Sequence, residues 1–244
     1  MALNNSFTNK NVLILGANSD VGICLIKSLY NYECNLFLAS RNIENLKKIT
    51  TNDNFNLDKI NFIHLDVLSE ASISSLFESN IEIPDIIISC IGYLNDKNSN
   101  LSKILQTNFE GPVTIINKYV ERFALRGYGT IVGVSSIAGE RGRAKNYLYS
   151  SAKSGFTSYL SGLRSKYNHK NINVITVIPG FIDTKMTRDL NLNKLITSSP
   201  ELVADKILKA IIKGKKIEYI SFFWLFVSVI LKNLPDFIIR NIKF

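Results

Sequence analysis

A tyrosine, a lysine and a serine have the types and spacing in this sequence best suited to acid–base chemistry. Tyr149 and Lys153 are four residues apart, and residues at that spacing lie on the same face of a helix. An adjacent ammonium favours the phenolate, so we expect Lys153 to lower the pKa of Tyr149 and the pair to exchange a proton with a substrate oxygen. Ser136, at the end of a predicted strand, has a hydroxyl that can hydrogen-bond the same oxygen. The Tyr-Lys spacing alone is equally typical of an ordinary amphipathic helix.

A glycine turn near the start of the sequence could bind a phosphate group. Val12–Leu15 is an apolar run typical of a strand buried on both faces, and it leads into Gly16–Gly22 and then into an apolar helix. Glycines let the backbone approach a pyrophosphate, which the free N–H groups and dipole of a helix N-terminus stabilise. Such turns are common in α/β proteins, but the combination of this turn with Ser136, Tyr149 and Lys153 favours the phosphate-binding interpretation.

The elements that position these residues alternate between apolar strands and helices. The 244 residues, 46% of them hydrophobic, suit one α/β domain with a sizeable core. Predicted strands are Asn11–Leu15, Asn35–Ala39, Ile60–His64, Asp85–Cys90, Thr130–Val134 and Ile172–Val177. Helical stretches lie between them, including Leu101–Ala124 and the one that carries Tyr149. This alternation predicts a doubly wound, Rossmann-type parallel sheet with helices on both faces, over residues 1–216, followed by an apolar and basic segment at residues 217–244.

In their order along the chain, these motifs resemble the short-chain dehydrogenase/reductase family. The resemblance implies a catalytic tetrad in which Tyr149 donates a proton to a carbonyl oxygen and Lys153 also holds the cofactor ribose. It further implies that Ser136 orients the carbonyl and that Asn108, in the sequence Gln-Thr-Asn-Phe, positions a relay water. Helices equivalent to Leu101–Ala124 commonly pair subunits in this family, which implies a homo-oligomer.

The resemblance also implies a set of cofactor-binding residues. They are Gly16, Asn18, Ser19, Asp20, Val21, Gly22, Ser40, Arg41, Asp66, Val67, Gly92, Lys153, Pro179, Gly180, Ile182 and Thr184. An acidic residue at the end of the second strand would bind the ribose hydroxyls of NAD, whereas an arginine accommodates a 2′-phosphate. Ser40 and Arg41 stand there, so we expect the cofactor to be NADP(H).

Two positions depart from the family pattern. Asp20 stands where the glycine turn usually has its middle glycine, and we expect it to cap the following helix by accepting from a backbone N–H. Ser89–Gly92 keeps only the last glycine of its motif. Neither departure removes a catalytic group.

The remaining composition limits the class of protein. The three cysteines and two histidines lack metal-ligand spacing, so we expect no metal site and no disulfide framework. The N-terminus has no secretory signal pattern, which predicts a cytoplasmic enzyme. From Lys206 onward the chain has eight Lys/Arg and two Asp/Glu, which accounts for six of the net +9. Because no basic motif with interleaved aromatics occurs elsewhere, we expect no nucleic-acid partner.

The C-terminal segment contains an uncharged aromatic run. Tyr219–Leu231 has thirteen residues, whereas a spanning helix needs about 20, so a peripheral contact with an anionic membrane surface is favoured over spanning. The alternative is that this run covers the core or forms a subunit interface. Such a contact would place the protein at the inner face of the cytoplasmic membrane.

The segment also bears on the substrate. Together with the Asp20 turn, it resembles the ketoreductase branch found in lipid-linked ribose 2-epimerases, which act on decaprenylphosphoryl-ribose. This resemblance implies NADPH-dependent reduction of a keto-sugar on a polyprenyl-phosphate lipid in cell-surface glycan synthesis, with a flavin oxidase as partner. Two alternatives remain: a reductase of 3-oxoacyl or other lipid carbonyls, and an inactive NADP-binding scaffold. Residues 181–200 are expected to form a lid over the substrate.

Overall fold

A seven-stranded parallel sheet with helices on both faces forms the centre of the computed structural model. The structure describes residues 6–53, 55–78, 82–94, 100–190 and 192–239. The main strands are β1 (Asn11–Leu15), β2 (Asn35–Ser40), β3 (Ile60–His64), β4 (Ile86–Ser89), β5 (Tyr128–Val134), β6 (Asn171–Ile178) and β9 (Ile217–Tyr219). They lie in the order β3-β2-β1-β4-β5-β6-β9. A separate two-stranded sheet pairs β7 (Phe181–Ile182) with β8 (Thr197–Ser198).

The helices cover both faces of the large sheet. They are α1 (Asp20–Tyr30), α2 (Ile43–Asn52), α3 (Glu70–Glu78), α4 (Leu101–Leu105), α5 (Gly111–Arg126), α6 (Tyr147–Lys166), α7 (Pro200–Ile212), α8 (Phe222–Asn233) and α9 (Asp236–Ile239). Alternate residues of β1 point to opposite faces: Val12 and Ile14 pack with α1, α2 and α7, and Leu13 and Leu15 pack with α3, α5 and α6. The predicted doubly wound α/β fold is confirmed.

The strand order reverses direction beside β1, which pairs with β2 on one side and β4 on the other. In open α/β sheets, a crevice forms outside the carboxyl ends of the strands at this kind of switch point. The turn that follows β1 therefore opens into the place where ligands bind in this fold.

The predicted helix Leu101–Ala124 is not a uniform α-helix. Between α4 and α5 the chain makes a π-helical turn at Gln106–Glu110, and Asn108 lies within it. Such turns occur mostly as single inserts in α-helices and are frequent at functional sites. The apolar periodicity predicted the helical run, and the structure adds the local widening at Asn108.

The described part of the C-terminal segment packs against the rest of the chain. The strand β9 pairs with β6 as the seventh strand of the large sheet, so the division predicted at residue 216 falls just before a sheet strand. In α8, Trp224, Ser228 and Leu231 are buried against the domain, whereas Phe222 and Phe226 are exposed. None of the helices described by the structure is long and apolar enough to span a membrane.

Candidate active site

One cavity of about 970 Å³ lies at the carboxyl ends of the central strands. It brings together nearly all of the predicted catalytic and cofactor residues. Those that line it are Gly16, Asn18, Ser19, Asp20, Val21, Ser40, Arg41, Asp66, Val67, Gly92, Ser136, Tyr149, Lys153, Pro179, Gly180, Ile182 and Thr184. Two predicted residues, Gly22 and Asn108, do not line the cavity and support its walls from behind.

The first turns of α6 carry Tyr149 and Lys153 into this cavity. Lys153 is only 2% exposed, and its Nζ donates to the carbonyl oxygens of Ile91 at 3.1 Å and Val134 at 3.0 Å. The same Nζ lies 6.0 Å from the centroid of the Tyr149 ring. A buried lysine needs such acceptors because an unpaired charge in an apolar environment is strongly unfavourable. The ends of two strands thus fix the position of the Lys153 ammonium.

The pKa values in this cavity are set mainly by burial. Desolvation raises the pKa of Tyr149 to about 12, and a hydrogen bond with Ser136 partly opposes that effect. Desolvation also lowers the pKa of Lys153 to about 8. The expected net fall in the pKa of Tyr149 is therefore wrong for this geometry, because burial of the phenol outweighs the effect of an ammonium 6.0 Å from its ring. At neutral pH, Tyr149 holds its proton and can donate it.

Ser136 begins a short turn that we call the serine turn, Ser136–Glu140. Its Oγ accepts from the N–H of Ala138 at 3.1 Å and also bonds the Tyr149 hydroxyl. The backbone N–H of Ile137 donates to the carbonyl of Pro179 at 2.8 Å. The serine turn is thus joined both to the proton-donating tyrosine and to the segment that follows β6.

The glycine turn has the geometry of a close backbone approach. Gly16 has a φ of +75°, and a Cβ at this position would lie 3.1 Å from backbone atoms of Cys90 and Ile91. A Cβ on Gly22 would lie 2.7 Å from the carbonyl oxygen of Ala17, so this glycine is required for the turn to pack on α1. Ser19 caps α1, because its Oγ accepts from the N–H of Gly22 at 3.1 Å. These features fit the cradle that a dinucleotide pyrophosphate requires.

Asp20 does not cap α1 as predicted. It is the first residue of the helix, and its carboxylate accepts from the backbone N–H of Lys185 at 2.8 Å, with the Lys185 Nζ 3.9 Å away. Ser19 already occupies the capping position, so the Asp20 side chain is available to the segment that follows β7. The residue that replaces the usual middle glycine therefore joins the glycine turn to the predicted lid.

The end of β2 lacks an acidic side chain. Ser40 is buried there, and its Oγ accepts from the N–H of Asn42 at 3.3 Å, while Arg41 is exposed at the cavity wall. Asn18 of the glycine turn donates to the carbonyl of Asn42 at 3.0 Å, and this bond joins the glycine turn to the residues after β2. Beyond β3, the Asp66 carboxylate accepts from the N–H of Leu68 at 3.0 Å. This donor set fits a nucleotide with an additional phosphate near Arg41.

Asn108 is fully buried behind the cavity. Its side-chain amide donates to the carbonyls of Tyr93 and Ile104 at 2.8 and 2.9 Å, and its Oδ1 accepts from the Tyr93 N–H at 2.9 Å. A Cβ added at Gly92 would lie 3.9 Å from both the Asn108 Oδ1 and the Lys153 Nζ. The Asn108 side chain therefore fixes the segment after β4, beside the lysine. Its role toward a relay water stays a prediction.

Sequence reasoning missed several residues that line the cavity. Arg143 and Lys145, from the segment before α6, line it together with Met186 and Leu190 of the predicted lid. Burial lowers the pKa of Arg143. Two cations shortly before Tyr149 could have been noticed, whereas the lid side chains have no spacing that marks them.

Known proteins are similar to this chain in sequence and in fold. The family model described as short chain dehydrogenase matches residues 10–195. Ketoacyl reductase HetN of Nostoc sp. is 27% identical over 228 residues, which cover 88% of this chain and 79% of the relative. The 3-oxoacyl-(acyl-carrier-protein) reductase FabG of Rickettsia prowazekii is 25% identical over 192 residues, 75% of this chain and 77% of the relative.

A solved structure has the same fold. It is a short chain dehydrogenase from Burkholderia cenocepacia J2315 in complex with NADP, with a TM-score of 0.78 and 16% identity. The match covers 93% of this chain and 94% of the other.

Proposed function

This chain belongs to the short-chain dehydrogenase family, and from that premise we propose that it is an NADP(H)-dependent ketoreductase. The observation that carries the proposal is one cavity of about 970 Å³. It contains a protonated tyrosine, a charged lysine and a serine hydroxyl at one end of a nucleotide-sized groove, and a glycine turn and an arginine at the other. Related reductases and an NADP complex of the same fold support this assignment.

The residues divide the reaction between them. When bound, the nicotinamide supplies the hydride that reduces the carbonyl carbon. Tyr149 donates its proton to the oxygen as negative charge develops there, and the Ser136 hydroxyl orients that oxygen. The charge on Lys153 stabilises the phenolate that remains after the proton leaves.

The choice of NADP(H) rests on Arg41 and Ser40. A guanidinium binds a phosphate by paired, charge-assisted hydrogen bonds, and no carboxylate at the end of β2 is present to bind ribose hydroxyls. Arg41→Asp is expected to raise the Kd of NADPH by about 10- to 100-fold, the worth of a hydrogen bond to a charged group. NADH affinity should rise at the same time. Equal NADPH affinity in both proteins would contradict the assignment of Arg41.

For the substrate, we propose a keto-sugar on a polyprenyl-phosphate lipid in cell-surface glycan synthesis. Arg143 and Lys145 line the cavity, and a lipid phosphate would need such cations. Met186 and Leu190 add apolar surface to the same cavity. A flavin oxidase would supply the ketone by oxidising the corresponding hydroxyl.

The lipid-linked substrate fits a peripheral contact with the inner face of the cytoplasmic membrane. The outer face of α8 exposes six large apolar side chains, and Phe237 is exposed in α9. The six on α8 are Phe222, Phe223, Leu225, Phe226, Val229 and Ile230. A contiguous apolar face of this kind on a basic segment is suited to a surface of anionic lipid. A homo-oligomer, paired through α5 and α6, is part of the same proposal.

A second candidate is reduction of a 3-oxoacyl or other lipid carbonyl. The observation that favours it is the likeness to reductases named for ketoacyl and 3-oxoacyl substrates. The cations of the cavity would then bind the phosphate of a thioester carrier. An inactive NADP-binding scaffold is the less favoured alternative, because the tyrosine, lysine and serine are held together in the cavity.

The test is transfer of label from NADPH. Purified protein is incubated with NADPH tritiated at the transferable C4 position and with a lysate of its own host, and the organic and aqueous phases are separated. We expect label in a polyprenyl-phosphate sugar, and Tyr149→Phe protein serves as the control. Label in an acyl product would replace the proposed substrate by the second candidate. Absence of label from every product would overturn the reductase proposal.

A further inference from the structure

The last residue of the serine turn carries a buried charge. The Glu140 side chain is 2% exposed, although it lies only four residues from Ser136. Its Oε2 lies 2.5 Å from the Nζ of Lys232, near the end of α8. A buried carboxylate without a partner is strongly destabilising, so this ion pair ties the serine turn to α8.

The same carboxylate has two further partners, both from the C-terminal segment. The Ser228 hydroxyl donates to its Oε2 at 3.1 Å, and the Tyr219 hydroxyl lies 3.5 Å from its Oε1. Tyr219 and Ser228 also hydrogen-bond each other at 2.9 Å. Tyr219 of β9 and Ser228 of α8 thus both contact the serine turn through the Glu140 carboxylate.

A second contact joins α8 to the segment after β6, which also lines the cavity. The Trp224 ring occupies the space beside Gly180, where a Cβ would lie 1.9 Å from the indole. Its Nε1 donates to the carbonyl of Ile196 at 3.1 Å, and its ring meets Phe181 edge-on with centroids 5.4 Å apart. The inner face of α8 therefore contacts the serine turn and also Gly180, Phe181 and Ile196, which follow β6.

We propose that Glu140 is a positioning residue, which fixes the Ser136 hydroxyl toward the carbonyl by anchoring the serine turn to α8 through Lys232. This inference rests on the proposed function, in which Ser136 orients the substrate oxygen. The turn between Ser136 and Glu140 is short, so a displacement at one end reaches the other. Misplacement of a positioning group by about 1 Å can reduce turnover by about 100-fold.

The first experiment compares four single variants in steady-state reduction of a soluble probe, acetoacetyl-CoA or 9,10-phenanthrenequinone, by NADPH. Glu140→Gln and Lys232→Met each remove one charge of the pair, and Lys232→Arg keeps the cation. The matched control is Lys209→Met, which breaks an exposed pair with Asp205 at 2.7 Å on α7. We expect kcat to fall about 10- to 100-fold in the first two variants, with the Kd of NADPH unchanged. Lys232→Arg and Lys209→Met should keep wild-type kcat.

Lys232→Met leaves an uncompensated buried carboxylate and could unfold the protein. The double variant Glu140→Gln with Lys232→Met removes both charges and avoids that penalty. If it regains thermal stability but keeps the low kcat, the charged anchor positions the site. Recovery of full kcat in the double variant would reduce Glu140 to a structural role and overturn the proposal.

A double-mutant cycle tests whether Glu140 acts through Ser136. Once Ser136→Ala has removed the hydroxyl, a residue that only positions it has nothing left to position. Glu140→Gln should therefore have no further effect on kcat in the Ser136→Ala background. Multiplication of the two effects would show that Glu140 acts by another route.

Trp224 gives a readout that needs no substrate, because it is the one tryptophan in the sequence. Its emission overlaps the absorbance of NADPH, so energy transfer to bound NADPH reports the distance between α8 and the cavity. We expect Glu140→Gln to lower the transfer and to speed amide exchange in residues 136–140, with no change in Lys209→Met. Wild-type protein that transfers no label from tritiated NADPH to any product would count against the proposed function, whereas unchanged energy transfer and amide exchange in Glu140→Gln would count against the anchor.

Discussion

Helix α6 buries a charged side chain, whereas helix α8 exposes large apolar side chains, and both depart from the usual pattern of burial. On α6, Lys153 is 2% exposed, although lysine is almost never fully buried without a partner. On α8, Phe222 and Phe226 are 82% and 60% exposed, although a group of large aromatics on one surface is unusual in a monomer. Both departures lie on helices that pack against the same large sheet.

The difference lies in what satisfies each departure. Two carbonyl oxygens from strand ends accept hydrogen bonds from the Lys153 ammonium, so the buried charge on α6 has its partners within the chain. The outer face of α8 is apolar surface turned to solvent, which an external apolar surface would stabilise. Substitutions on α6 should therefore alter the rate of the reaction, whereas substitutions on the outer face of α8 should alter binding to a membrane surface.

The largest expected effect is that of Tyr149→Phe on α6. Loss of the proton donor should reduce kcat by about 10²- to 10⁴-fold, as for other general acids. NADPH affinity, measured by fluorescence titration, should stay within about twofold of wild type because the ring remains. If NADPH binding were lost along with turnover, the role of Tyr149 as proton donor would be misassigned.

The next effect concerns the outer face of α8. Phe222→Ser combined with Phe226→Ser should weaken binding to phosphatidylglycerol-containing vesicles by roughly 10-fold per side chain, the worth of a partly inserted aromatic. The measurement is vesicle sedimentation, and turnover of a soluble carbonyl should not change. Leu125→Ser is the matched control, because Leu125 is exposed on α5, outside α8. Equal vesicle binding by all three proteins would argue for a subunit interface at α8.

A smaller effect is expected in the pH profile of reduction. Burial lowers the pKa of Lys153 to about 8, so the ammonium loses its proton as the pH rises through that value. Tyr149, with a pKa of about 12, keeps its proton over the same range. The kcat should be constant below pH 8 and should fall up to about tenfold per unit above it. A rate that stays constant up to pH 9.5 would show that the charge on Lys153 is not required.

The smallest effect separates the two faces of α8 by stability. Phe226→Ser should change the free energy of unfolding by less than about 0.5 kcal/mol, because the side chain is largely exposed. Trp224→Ala, on the inner face, should lower it by about 3–5 kcal/mol because it leaves a cavity beside Gly180. Urea unfolding followed by circular dichroism measures both. Similar losses in the two variants would mean that the outer face packs against the chain.

Local sequence patterns determined most of the fold. The apolar runs predicted β1 and β3 with the bounds that the structure has, and they placed β2, β4, β5 and β6 to within two residues at each end. They predicted the helix of Tyr149 and Lys153, and the glycine turn that faces it across the cavity. These features could be predicted because strand and helix periodicity, and the backbone freedom of glycine, act over a few residues.

Tertiary structure alone decided the features that depend on distant partners. Asp20 bonds the backbone of Lys185, 165 residues away, so its local role as a cap could not be judged from the turn. Ser228 reaches Glu140 across 88 residues, and β9 joins the sheet beside β6. The pKa of Tyr149 rises because of burial, although the spacing to Lys153 predicted a fall. Spacing along a helix shows which groups face one another, but how much water surrounds them is set by elements brought together only when the chain folds.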